Sequence, residues 1–142
     1  MYRRILVPLE HSRTDACILQ HVKQLARHCS ASLVVIHVAD GWAARNIAQL
    51  ELRPSEEMKV DRDYIEQVAA DLVAEGFAAE GVLATGDPAK EITAAAIREQ
   101  CDLIAMGTHG HKFIGDVIHG SVASAVRHQT SIPVLLVRAP AE

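Results

Sequence analysis

Gly107-Thr108-His109-Gly110, a further nine residues, and then Gly120-Ser121 form the part of the chain best suited to chemistry. The run follows an apolar stretch, Asp102-Leu103-Ile104-Ala105-Met106, and Gly120-Ser121 is expected to open a helix. Glycines permit positive φ and close approach of backbone to a ligand. The unpaired N–H groups and the dipole of a helix N-terminus favour phosphate oxygens. Strand, glycine loop and helix start together predict an anion site, in which the Ser121 hydroxyl would serve both as N-cap and as phosphate donor.

Familiar phosphate motifs do not account for this run. Gly110 and Gly115 have the first spacing of a P-loop, but Asp116-Val117 stands where Lys and Ser or Thr are required. The leading G-x-G of a dinucleotide fingerprint is missing, and the run follows the fourth predicted strand rather than the first. Neither a G-x-S-x-G elbow nor H-E-x-x-H occurs, and no residue is an evident general base, so hydrolytic catalysis has no support. His109, His111 and His119 share the loop, but no Cys or carboxylate completes a tetrahedral set at regular spacing. They are expected to add positive charge near phosphate as pH falls, beside Lys112, the loop's permanent cation.

The elements that must position this loop alternate in type. Arg4 to Leu9 reads as a first strand, and Ser12 with Asp15 three residues on resembles a capped start to a helix over Arg13 to Cys29. Leu33 to Val38 is nearly all apolar, as a central strand with both faces buried would be, and His37 within it is expected to be a hydrogen-bonded core residue. Beyond Pro54-Ser55 a helix turns Ile65, Val68, Leu72 and Val73 inward and stops at Gly76. A weaker strand over Ala79 to Ala84 suits a sheet edge. Gly86-Asp87-Pro88 then supplies a turn, an N-cap and a proline at the first helical position. The glycine-loop strand, the helix after Gly120 and a last strand over Ile132 to Val137 complete five strands and four helices. This predicts a single α/β domain over residues 1–142, an open twisted parallel sheet with helices on both faces, Rossmann-like in plan.

Two strand orders fit. In 2-1-3-4-5 the switch-point crevice lies between strands one and three; in 3-2-1-4-5 it lies between strands one and four. Only the second brings the glycine loop and Leu9-Glu10-His11-Ser12 to one crevice, and the sequence therefore predicts 3-2-1-4-5. Pro8 is acceptable there because the chain is leaving the sheet.

Composition narrows the function classes. A net charge of −4 with scattered Lys and Arg gives no basic stripe for nucleic acid. Three cysteines without C-x-x-C pairing read as reduced core thiols. The N-terminal apolar run, interrupted by Pro8, is too short for a signal or membrane-inserting segment, so a cytoplasmic protein is expected.

With these residues assembled, the chain resembles the ATP-binding branch of the universal stress protein family. Gly107, Gly110, Gly120 and Ser121 meet that branch's G-x2-G-x9-G-S/T signature, and Ile5-Leu6-Val7-Pro8, His37-Val38, Gly86-Asp87-Pro88 and Pro133 to Val137 agree around it. The resemblance implies a stress-response protein that senses or signals through ATP occupancy, with any Mg²⁺ held mainly by the phosphates. It also implies a cytoplasmic homodimer paired through the fifth strand, Pro133 to Val137, and a protein partner not identified by sequence. By the same resemblance Gly110, Gly120, Ser121 and Val122 would hold phosphates, Met106 and Gly107 would flank the ribose, and Pro8, Leu9 and Val38 would border the adenine. Glu10-His11-Ser12 stands where the family commonly has Asp-Gly-Ser. Glu10 keeps the charge and could accept a ribose hydroxyl, while His11 must tolerate a backbone that favours glycine. Ala123 replaces a hydroxyl offered by some relatives. Two further readings remain at this stage: a related α/β enzyme that hydrolyses ATP or transfers its adenylyl group, and a dimeric interaction module with an empty nucleotide site.

Overall fold

Leu33, Val34, Val35 and Ile36 are wholly excluded from solvent, as an all-apolar strand in the middle of a sheet covered on both sides should be. The computed structural model describes residues 1–40, 54–108 and 116–140. In chain order these form β1 (Arg4–Pro8), α1 (Thr14–Cys29), β2 (Ser32–Asp40), α2 (Pro54–Ala74), β3 (Ala79–Gly86), α3 (Pro88–Arg98), β4 (Leu103–Thr108), α4 (Asp116–Gln129) and β5 (Val134–Arg138). The five strands are all parallel, in the order β3-β2-β1-β4-β5. The predicted architecture is thus the one adopted.

Alternation along the strands divides the core into two layers. Ile5, Val7, Leu33, Val35, Leu103 and Ala105 pack with Ile18 and Val22 of α1 and Ile65 and Leu72 of α2. Leu6, Val34, Ile36, Ile104 and Met106 pack with Ile92 and Ala96 of α3 and Val126 of α4. This is the period-two pattern of strands buried on both faces.

Local chemistry explains most boundaries. Asp87 accepts the Lys90 N–H at 3.1 Å and Pro88 occupies the first turn of α3, as its sequence predicts. Gly76, at φ +102°, ends the turn after α2. β3 is an outer strand, in keeping with its weak apolar pattern. Val73, expected to face inward, is 54% exposed. Ile65, Ala69 and Leu72 define the buried face, and one further step of about 100° carries Val73 off it.

The start of α4 is also corrected. The helix begins at Asp116, so Gly120 and Ser121 are its fifth and sixth residues rather than its opening. An acidic residue suits the first turn, and an internal glycine weakens a helix by about 1 kcal/mol without breaking one anchored by buried Ala123 and Val126.

Candidate functional site

The ladder between β1 and β4 runs only through Ile5–Leu103 and Leu6–Ile104. On its outer sides each strand stays paired for longer: β1 with β2 as far as Pro8–Ile36, and β4 with β5 as far as Thr108–Arg138. The two central strands therefore part towards their carboxyl ends, at the point where the connection direction reverses. Open α/β sheets place ligands there. Pro8, which cannot donate to a ladder, is the last residue of β1.

Pro8, Leu9, Glu10 and His11 stand on one side of this opening, with Met106, Gly107 and Thr108 on the other and Val38 near the end of β2. Leu9 is buried in the layer facing α1 and α2, and its N–H donates to the Ile36 carbonyl at 2.7 Å. Met106 is buried in the opposite layer, and Val38 packs against that layer. Gly107 faces α1: a Cβ there would meet Ile18 Cβ at 3.4 Å. Glu10 is exposed. Val122 lies on α4, partly buried against the layer that faces α3. Gly120 and Ser121 contribute backbone to the same helix; Gly110, with His109, His111 and Lys112, lies outside the described residues. Thus Pro8, Leu9, Glu10, Met106 and Gly107 come together across the parted strands. The carboxyl end of a parallel sheet and a glycine in β4 fit a nucleotide lying over the strand ends.

The turn after β1 is held by a residue whose role the sequence disclosed only in part. Asp15, in the first turn of α1 and 4% exposed, gathers the backbone that precedes the helix. Its Oδ1 accepts the Glu10 N–H at 3.0 Å, and its Oδ2 accepts the N–H groups of His11 and Ser12 at 2.9 and 3.2 Å. The Tyr64 hydroxyl, from α2, donates to the same Oδ2. The expected Ser12 cap is corrected: no side chain caps α1, and Ser12 Oγ lies 2.8 Å from Thr14 Oγ1. A carboxylate gathering three successive N–H groups satisfies more donors than one hydroxyl would, which is the physical reason for the reversal.

His11 adopts φ +61°, the left-handed conformation that its position requires. Its ring stacks on Tyr64 with centroids 3.9 Å apart and planes inclined by 12°. Asp61 Oδ1, also on α2, lies 3.5 Å from His11 Nδ1 and 3.6 Å from His37 Nε2, pairs that become ionic when an imidazole is protonated. His37 Nδ1 hydrogen-bonds the Leu9 carbonyl at 2.9 Å, which makes it the bonded core histidine that its strand predicts. Because a carbonyl only accepts, Nδ1 carries the proton. Burial, then the hydrogen bond and charge of Asp15, push the Tyr64 phenol above its ordinary value, so its hydroxyl stays a donor.

Asp61 and Tyr64 gave no sequence signal, because each lies about fifty residues from the turn it contacts. Among the described residues no group of three His, Cys, Asp or Glu side chains could hold a metal ion. No helix among them is long and apolar enough to cross a membrane.

Comparison with known proteins agrees with this fold. Universal stress protein MJ0577 of Methanocaldococcus jannaschii is 28% identical over 158 aligned positions, covering 97% of this chain and 96% of that one. Its solved structure superposes with a TM-score of 0.83 over 100% and 99% of the two chains, at 27% identity. An Archaeoglobus fulgidus universal stress protein in complex with dAMP gives 0.71 at 19% identity, over 96% and 98% of the chains. A universal stress protein in complex with cAMP gives 0.67 at 21%, over 96% and 97%. At those identities the two complexes speak for the fold. The model of the universal stress protein family matches residues 1–138, and with its 3-2-1-4-5 sheet and parted central strands the chain belongs to that family.

Proposed function

We propose that this protein binds ATP across the carboxyl ends of β1 and β4 and acts as a nucleotide-linked sensor or signalling module in a stress response, without turnover. The observation that carries the reading is the parting of β1 from β4 beyond Leu6 and Ile104, with Gly107 on one lip and the Asp15-held Glu10 turn on the other. Two solved proteins of this fold are complexes with cAMP and dAMP, which supports an adenine nucleotide as the class of ligand.

In this reading Pro8, Leu9 and Val38 border the adenine. Glu10, Met106 and Gly107 flank the ribose, the buried Met106 through its backbone. Gly110, Gly120, Ser121 and Val122 hold the phosphates, which carry any Mg²⁺. Gly120 leaves α4 without a side chain where the phosphates would rest. Occupancy acts by linkage: ATP favours one state of the loop and of the dimer, and a protein partner reads the difference. The dimer forms through β5, an edge strand with Leu136 41% exposed, whose outer hydrogen-bonding groups suit pairing with a second copy. We place this single domain in the cytoplasm.

The test is to denature purified protein and assay the supernatant for nucleotide, then to compare melting temperatures with ATP, AMP and cAMP. ATP at a hundred times its Kd should add roughly 2.7 kcal/mol of stability. Gly120→Leu should abolish that gain while the unliganded melting temperature holds or rises, since leucine is the better helix former. Absence of nucleotide in the extract and of any shift with ATP would overturn the proposal. Steady release of phosphate or AMP would make the protein an enzyme instead.

A further inference from the structure

The left-handed backbone of His11 is held from three directions, and all three converge on the turn that carries Glu10. Its N–H goes to the buried Asp15 carboxylate, its ring stacks on Tyr64, and its Nδ1 faces Asp61. A non-glycine residue at positive φ is strained by an amount on the order of 1 kcal/mol, and persists when its surroundings over-determine it. Here one carboxylate accepts from the N–H groups of Glu10, His11 and Ser12 and from the Tyr64 hydroxyl. The Tyr64 hydroxyl thereby locks the acceptor, and its ring locks the side chain above the strained residue.

Asp15 is 4% exposed and its carboxylate is taken up by the backbone of the turn, and Tyr64 reaches it from α2, forty-nine residues along the chain. The geometry points to Asp15 and Tyr64 as positioning residues that hold the Glu10-His11 turn in its ligand-competent conformation and tie that conformation to the placement of α2. This inference rests on the proposed nucleotide site. Loosening the clasp lets His11 relax to negative φ and swings Glu10 away from the ribose. Apparent affinity then falls by the fraction of molecules in which the turn remains competent.

Tyr64→Phe removes one hydroxyl and keeps the stacked ring, and it is tested in the full chain by titration calorimetry with ATP and by amide hydrogen exchange without ligand. ATP affinity should fall about tenfold, the size of one hydrogen bond to a charged group. Exchange at the His11 and Ser12 amides should accelerate, while melting temperature stays within a few degrees of the parent. His11→Gly added to Tyr64→Phe should restore the affinity to within about twofold, because glycine takes positive φ unaided. Asp15→Asn, which keeps one carbonyl acceptor but turns an amide towards N–H donors, should weaken ATP at least as much as Tyr64→Phe. Unchanged amide exchange in Tyr64→Phe overturns the inference whether or not ATP binds, and lost affinity that glycine fails to restore overturns it too. No ATP binding by the parent protein with the expected exchange change would instead overturn the nucleotide reading and leave the clasp standing.

Discussion

Gly81 and Gly107 offer the same substitution with opposite expected outcomes, and the difference can be worked from distances. A Cβ on Gly81 would lie 2.9 Å from the Ile65 carbonyl oxygen, 3.3 Å from its carbon and 3.4 Å from Ala69 Cβ. The obstacle is α2 backbone, which cannot swing aside as a flexible side chain could. β3 must lift away from a helix whose Ile65 and Leu72 are each 1% exposed. Overpacking of this kind costs roughly 1–3 kcal/mol, against which alanine recovers about 0.4–1 kcal/mol by restricting the unfolded chain. Net destabilisation of about 1–2 kcal/mol corresponds to a fall in Tm of roughly 3–8 °C for a domain of this size. On Gly107 the new methyl would meet Ile18 Cβ at 3.4 Å, Ile18 Cγ2 at 3.6 Å and the Thr14 carbonyl at 3.6 Å, all ordinary contact distances. Neither residue is among the positive-φ glycines, so alanine suits both backbones. Gly107→Ala should therefore unfold within about 2 °C of the parent. Differential scanning calorimetry of the two variants decides the matter: equal Tm values, or a larger loss at Gly107, would refute the close-approach argument.

Other expectations follow from single contacts. Asp87→Ala removes the α3 N-cap and should cost about 1 kcal/mol, read as a urea midpoint lowered by roughly 0.5 M with an unchanged m-value. Burial pushes the Cys101 thiol up to about 11, so at pH 8 a thiol reagent should modify partly exposed Cys17 and Cys29 in the native protein and reach Cys101 only on unfolding. Burial raises the Asp102 carboxyl, but the Arg3 and Arg4 N–H groups at 2.9 to 3.1 Å outweigh it and hold the group below its ordinary 3.8. A lowered folded-state value gives stability that is full above the unfolded value and fades as pH falls through the folded one. Asp102→Asn should therefore lower stability at pH 7 and flatten its decline between about pH 5 and 2.

The strand order was legible because one constraint sufficed: the glycine run had to share a crevice with the chain leaving β1, and only 3-2-1-4-5 allows it. The α3 cap, the central position of β2 and the outer position of β3 were likewise readable, since each depends on residues adjacent in sequence. Where packing arbitrates, sequence reading was less complete. Val73 looked core-facing because it is apolar, whereas helical phase turns it to solvent. The opening of α4 looked like Gly120-Ser121, but an acidic first turn and a buried Val126 carry the helix back to Asp116.

Sequence by itself determined the fold class and the topology, because these follow from local periodicity and fixed spacing, and it named Pro8, Leu9, Glu10, Met106 and Gly107 at the strand ends that the sheet order makes neighbours. Tertiary structure alone decided how Glu10 and His11 are held. Asp15 could be read only as a partner for Ser12, yet its carboxylate gathers Glu10, His11, Ser12 and Tyr64. Tyr64 and Asp61 reach the turn only because β1 and β2 are paired and α2 crosses the same face of the sheet. Hydrogen bonds act over about 3 Å of space without regard to separation along the chain, so a clasp between residues 15 and 64 exists only once the sheet has brought them together.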